Sequence, residues 1–166
     1  MTTPADDVDR IVDAWTRERP DLDITPLQVL SRVTRIAKRV DKYRREAFKA
    51  SHLESWEFDV LAALRRAGHP YQLSPKSLMA ETLVTSGAMT HRLRKLEDRG
   101  FITRSSDPED GRGVVVKLMP SGRDAVDLAL SKLIEAEHTL ITALSSSEQA
   151  TVAQALRSLS LNVENR

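Results

Sequence analysis

Residues 74–118 constrain the fold more tightly than any other part of the chain. Ser74 followed by Pro75 is a cap and a first helical residue, and "PKSLMAET" is long enough only for a short helix. A tight turn leads into "SGAMTHRLRKLEDRG", with Thr85 placed to cap it and Gly100 to end it. The rhythm then changes to two short β-rich runs, "FITRS" and "GVVVKL". The joining "SDPEDGR" carries the Pro and Gly punctuation of a hairpin. Few folds accept a short helix, a turn, an amphipathic helix and a hairpin in that order.

That order is a winged helix-turn-helix. On a 100° wheel Met89, Leu93 and Leu96 form the inward face of the second helix, and His91, Arg94, Lys95 and Asp98 lie opposite. Small residues Ser86, Gly87 and Ala88 open the helix, where its N-terminus can approach a base edge or phosphate. The expected DNA contacts are Ser86, Ala88, Thr90, His91, Arg94 and Lys95, joined by Arg112 from the wing. Arg112 stands between Gly111 and Gly113, and a minor groove about 6 Å wide favours a thin, planar cation. Asp110 is the right length to hold that side chain extended, and Asp107 before Pro108 shapes the turn. A solvated charged helix face and an ordinary polar hairpin are the plain alternatives.

The rest of the chain reads as helix. "ADDVDRIVDAWTRERP" puts Val8, Ile11, Val12 and Trp15 on one stripe, with Pro20 as a stop. "ITPLQVLSRVTRIAKRVDKYRREAFKAS" offers Thr25 as a cap, and "SWEFDVLAALRRAG" is apolar nearly all round, hence central. "PSGRDAVDLALSKLIEAEHTLITAL" opens a long helix, and "SSSEQATVAQALRSLSL" opens the last, capped by Ser145 or Ser147. The fold class is therefore mainly α with a small β-hairpin wing. Val8, Ile11, Val12, Trp15, Val126, Leu130, Leu133, Ile134, Leu140 and Ile141 exceed what a small winged helix needs to cover itself, which points to an interface.

The segment from Leu73 to Arg123 resembles the DNA-binding core of MarR-type transcriptional regulators. Leu96-Glu97-Asp98-Arg99-Gly100-Phe101-Ile102-Thr103-Arg104 matches the family's "L-E-x-x-G-[LF]-[IV]-x-R" run. Asp107-Pro108-Glu109-Asp110-Gly111-Arg112 matches its "D-x-x-D-x-R" wing tip, and "PSGR" resembles the opening of the family's next helix. The resemblance implies one MarR-like domain over 1–166, with a winged helix-turn-helix at 54–118 and dimerisation helices at 6–50 and 121–162. It implies a homodimer that binds a pseudo-palindromic operator on double-stranded DNA, two recognition helices one turn apart.

Asp59, Arg92 and Arg104 call for a separate account. Asp59 interrupts an apolar helix and shares a face with Trp56 and Ala63. Arg92 lies at the edge of the Met89–Leu93–Leu96 stripe, and Arg104 shares a strand face with Ile102, so it should point inward. A buried carboxylate needs a partner, so these residues are either a structural ion pair with a spare cation or an anion site. The urate-responsive branch of the MarR family resembles this chain in an extra N-terminal helix with a Trp, and in an Asp and two Arg at matching places. That resemblance implies a ligand site at Trp15, Asp59, Arg92 and Arg104, taking a small anionic aromatic effector such as urate. It also implies a mechanism in which the anion takes the guanidiniums and frees Asp59. Trp15 reads equally well as a core anchor.

Other classes find little support. The 166 residues include no cysteine, and Lys plus Arg, at 25, nearly equals Asp plus Glu, at 24, so bulk charge selects no partner. His52, His69, His91 and His138 are scattered, with no metal-ligand spacing and no nucleophile–base pair. The expectation is a regulator, not an enzyme, with no metal and no cofactor. The polar opening "MTTPADDVDR" and the lack of a long apolar run predict a cytoplasmic chain with no membrane partner. A winged helix that binds another protein is the competing reading.

Overall fold

The computed structural model describes residues 4–107 and 113–165. The described chain forms two compact units, one within residues 1–43 and the other within 44–166. Helix α1 (Asp7–Glu18) opens with a capping box in which Asp6 accepts the amides of Val8 and Asp9, and Asp9 returns to the Asp6 amide. Val8 and Val12 are buried, whereas Trp15 is half exposed. Arg32, on α2 (Thr25–Lys49), donates to both Asp6 and Asp9. That guanidinium holds the Asp6 carboxyl below its ordinary value. Thr25, expected as a cap, is itself the first helical residue, and its amide is taken by Asp23.

The second unit is built around α3 (Ser55–Arg66), which buries Glu57, Phe58, Val60, Leu61, Ala62, Ala63 and Leu64. Leu61 and Leu64 are wholly buried, each contributing about 1.5–3 kcal/mol by transfer from water. Phe48 stacks on Phe58 with ring centroids 4.3 Å apart. Around α3 pack α4 (Pro75–Thr82), α6 (Pro120–Ile141) and β3 (Val114–Leu118). Ser74 caps α4 and Thr85 caps α5 (Ser86–Asp98), each where the sequence placed it, and of the two candidates for α7 (Ser146–Glu164) the cap is Ser145.

The wing is larger than a hairpin. Strand β2 (Ile102–Ser106) pairs with β3, and β1 (Gln72–Leu73) pairs with the other edge of β3, giving the order β1-β3-β2. Ile102, Val116 and Leu118 are buried on one sheet face, while Thr103 and Lys117 lie exposed on the other. Gly122 fixes the start of α6. A Cβ there would stand 2.3 Å from the Phe101 carbonyl oxygen, so only glycine fits. The Met119 amide donates to that same carbonyl and the Ser121 hydroxyl to Gly100. Pro120 occupies the first turn without a side-chain cap.

Two interface expectations need correction. Val126 and Leu133 belong to this unit's own core, because their face of α6 lies against α3. Val8 and Val12 are likewise buried within one chain. The apolar residues left exposed on α6 and α7 include Leu130, Ile134, Leu140, Ile141, Val152, Leu156 and Leu161.

Candidate nucleic-acid interface and anion cluster

Helix α5 divides cleanly into two faces. Met89, Leu93 and Leu96 are buried, and Ser86, Ala88, Thr90, His91, Arg94 and Lys95 are all exposed. The turn from α4 is made by Leu83 in the left-handed region, at φ 53°. At the start of α5 the Ala88 amide reaches the Thr85 hydroxyl at 3.5 Å. The first-turn donors point out beside small side chains, an arrangement suited to a phosphate or a base edge. His91 Nδ1 and Arg94 Nη2 lie 3.5 Å apart on the outer face.

The other end of α5 is anchored by residues that sequence reasoning missed. Glu57 is 3 % exposed, and both its carboxylate oxygens lie 2.6 Å from Arg99 Nη1. Arg99, the residue that ends α5, also donates to the His52 carbonyl and lies over the Phe101 ring at 4.5 Å. Glu57 Oε2 additionally accepts the Glu54 amide. One buried carboxylate thus ties the start of α3 to the end of α5. Helical phase was the available signal, since Glu57 shares a face with Val60, Leu61 and Leu64, all of which are buried.

The wing tip residues Asp110 and Arg112 lie outside the described residues. The last described rung is the Asp107 amide donating to Gly113 at 2.9 Å.

Asp59, Arg92 and Arg104 do not share one ion-paired cluster. Asp59 is exposed, contrary to expectation, because it lies on the side of α3 opposite the buried phase. It approaches Arg44 at 3.5 Å. An anion that freed Asp59 would therefore have to act on Arg44. Arg104 does share the sheet face of Ile102, but two residues further out it lies beyond the core. There its Nε donates to Glu97 at 2.9 Å, and this guanidinium holds the Glu97 carboxyl below its ordinary value. Arg92 lies over the Trp56 ring at 5.6 Å and has no carboxylate partner among the described residues. Trp15 belongs to the other compact unit.

Among the described residues no group of three or more His, Asp and Glu could hold a metal ion, and no helix is long and apolar enough to cross a membrane.

Comparison with known proteins agrees with this geometry. The model of the MarR family matches residues 53–113. The transcriptional regulator PecS of Dickeya dadantii is 32% identical over 143 residues, 86% of each chain. Among solved structures, a mutant Escherichia coli MarR in complex with operator DNA superposes with a TM-score of 0.69 at 25% identity, over 83% of this chain and 99% of that one. Bordetella bronchiseptica BpsR, whose DNA binding is regulated by 6-hydroxynicotinic acid, shares the fold with a TM-score of 0.71 at 24% identity, over 84% and 97%. PecS is a transcriptional regulator, and the MarR structure holds operator DNA.

Proposed function

The chain belongs to the MarR family of winged helix-turn-helix transcriptional regulators, and we propose that it is a repressor binding a pseudo-palindromic operator as a homodimer. The outer face of α5 carries this reading. Six exposed small or polar residues stand over a fully buried apolar stripe, so the helix is held firmly while it presents hydrogen-bonding groups to a major groove. Ser86, Ala88 and Thr90 would meet phosphates and base edges at close range, and His91, Arg94 and Lys95 would reach further along the groove. Arg112 would enter the minor groove, held extended by Asp110. Residues 54–118 form the DNA-binding part, and the helices at 6–50 and 121–162 pair the two chains. The exposed apolar residues of α6 and α7 support that pairing.

A gel shift with the DNA upstream of the gene, at stated salt, tests the reading against a winged helix that binds only protein. Arg94→Ala and Arg112→Ala should each weaken operator binding by about 1–3 kcal/mol while the dimer persists. Arg112→Ala should also flatten the salt dependence. No retardation of any upstream fragment sinks the proposal.

Release by a small anionic aromatic effector, urate first, completes the reading. Its support is the resemblance to the urate-responsive branch at Trp15, Asp59, Arg92 and Arg104, together with the guanidinium of Arg92, which no carboxylate neutralises among the described residues. Linkage requires that urate lower DNA affinity by the same factor by which DNA lowers urate affinity. Calorimetry on wild type and Arg92→Ala decides it. Urate binding untouched by that substitution returns Arg92 to a stacking partner of Trp56.

A further inference from the structure

We propose that Leu83, at the turn between α4 and α5, is a specificity-determining DNA contact that reads a thymine methyl group in the operator. Its side chain is 91% exposed, against 37% to 64% for the other large apolar residues left exposed among the described residues. Apart from Leu22 and Val114, those others stand on α1, α2, α6 and α7, the helices proposed above to pair two chains. Leu83 belongs to none of them.

The fold does not need a leucine there. Leu83 adopts φ 53° and ψ 43°, the left-handed conformation that a Cβ disfavours and that glycine or asparagine takes at the end of a helix. It closes α4 through its backbone amide, which donates to the Met79 carbonyl and which glycine would supply equally. The neighbouring Val84 is partly buried and packs against the core, so this turn sends one apolar side chain inward and the other out to solvent. A disfavoured backbone conformation carrying an unburied leucine destabilises the turn and contributes no packing. Outliers of this kind point to a demand made by function.

Position and chemistry name the partner. Leu83 stands two residues before the Thr85 cap and three before Ser86, the first proposed DNA contact. Thr85, Ser86, Gly87 and Ala88, which follow it, are small, exposed and uncharged. In the major groove the apolar group that a base edge presents is the C5-methyl of thymine. An isobutyl group packed on that methyl distinguishes a T·A pair from a C·G pair, whose cytosine lacks it. The inference rests on α5 being a DNA-binding helix, and it adds the identity of one base in each half-site.

The test uses the full chain and an upstream fragment that it retards, with deoxyuridine replacing thymidine one symmetric pair at a time. For wild type, one such pair should lower affinity about threefold to tenfold per half-site, the range expected for one buried methyl group. Leu83→Asn suits the left-handed backbone and removes the apolar surface. It should bind the unmodified fragment about tenfold more weakly, bind the methyl-free fragment no worse than the unmodified one, and melt no lower than wild type. Its salt slope should match wild type, since an apolar contact releases no counterion. Leu83→Met should keep most of the affinity and the methyl dependence. Operator binding unchanged in Leu83→Asn overturns the inference and gives the exposed leucine to a protein partner, while the DNA-binding reading stands. A methyl dependence that survives in Leu83→Asn also overturns it. If wild type retards no fragment, both readings fall together.

Discussion

Helices α3 and α7 show how differently one chain treats apolar surface. Seven of the 12 residues of α3 are buried, while none of the 19 residues of α7 is. Val152, Leu156, Leu161 and Val163 on α7 range from 44% to 64% exposed. Helix α3 is the more apolar of the two, with 7 apolar residues of 12 against 8 of 19, but their neighbours decide what is buried. Helix α3 is enclosed by α4, α6 and β3, so its burial is a property of the single chain. The apolar residues of α7 gain nothing until something else covers them. Folding free energy is therefore carried by α3, and on the proposed homodimer the exposed residues of α7 serve assembly instead.

The largest expected effect comes from the enclosed helix. Leu61→Ala should cost about 2–5 kcal/mol in urea unfolding, because a wholly buried side chain leaves a cavity. Its midpoint shift should be the same at all protein concentrations. Leu156→Arg should act oppositely in kind. We expect about 2–4 kcal/mol lost from dimerisation, with monomers seen in sedimentation and a melting temperature that becomes concentration dependent. If Leu156→Arg leaves a dimer intact, the contrast between the two helices has been drawn in the wrong place.

Arg99→Ala sharpens the comparison within the enclosed helix. It leaves the Glu57 carboxylate buried without its cation, which should cost about 1–3 kcal/mol of stability, the guanidinium itself being partly exposed. Operator affinity should fall further than in Arg104→Gln, because the first substitution leaves a buried carboxylate unpaired at the end of α5, whereas the Glu97–Arg104 pair is partly exposed. The smallest effect belongs to Glu97. Its folded value lies below the ordinary one, so the pair with Arg104 stabilises above the unfolded value and is lost as pH falls through the folded one. Both side chains are about one-third exposed, so screening keeps this below about 1 kcal/mol. Acid unfolding of wild type and Arg104→Gln should converge at low pH and separate above the ordinary glutamate range.

What could be read in the sequence follows the same division. The two faces of α5 were legible because Met89, Leu93 and Leu96 repeat with helical period, and a period survives without any partner. Ser74, Thr85 and Ser145 were legible because a cap acts within three residues. Strand β1 was not, since Gln72 and Leu73 are too few to show alternation and pair only with the distant β3. Asp59 drew attention by interrupting an apolar run, yet the buried acid is Glu57, two residues earlier and 42 residues from its partner Arg99. Polarity within an apolar stretch marks a misfit, and only helical phase tells whether the misfit faces inward.

The Glu57–Arg99 tie has a mechanical consequence. Helix α5 is fixed where Arg99 meets Glu57, and its proposed DNA-contact residues, from Ser86 onward, begin at the far end. Thirteen residues at about 1.5 Å each make a rod about 20 Å long, so a tilt of the whole helix by roughly 5° about that end would carry the tip about 2 Å. That travel is comparable to the difference between a hydrogen bond made and one broken. The carboxylate is one fixed point of a helix whose buried stripe holds the rest, and on the proposed DNA-binding reading a disturbance at the start of α3 would reach the DNA through that point.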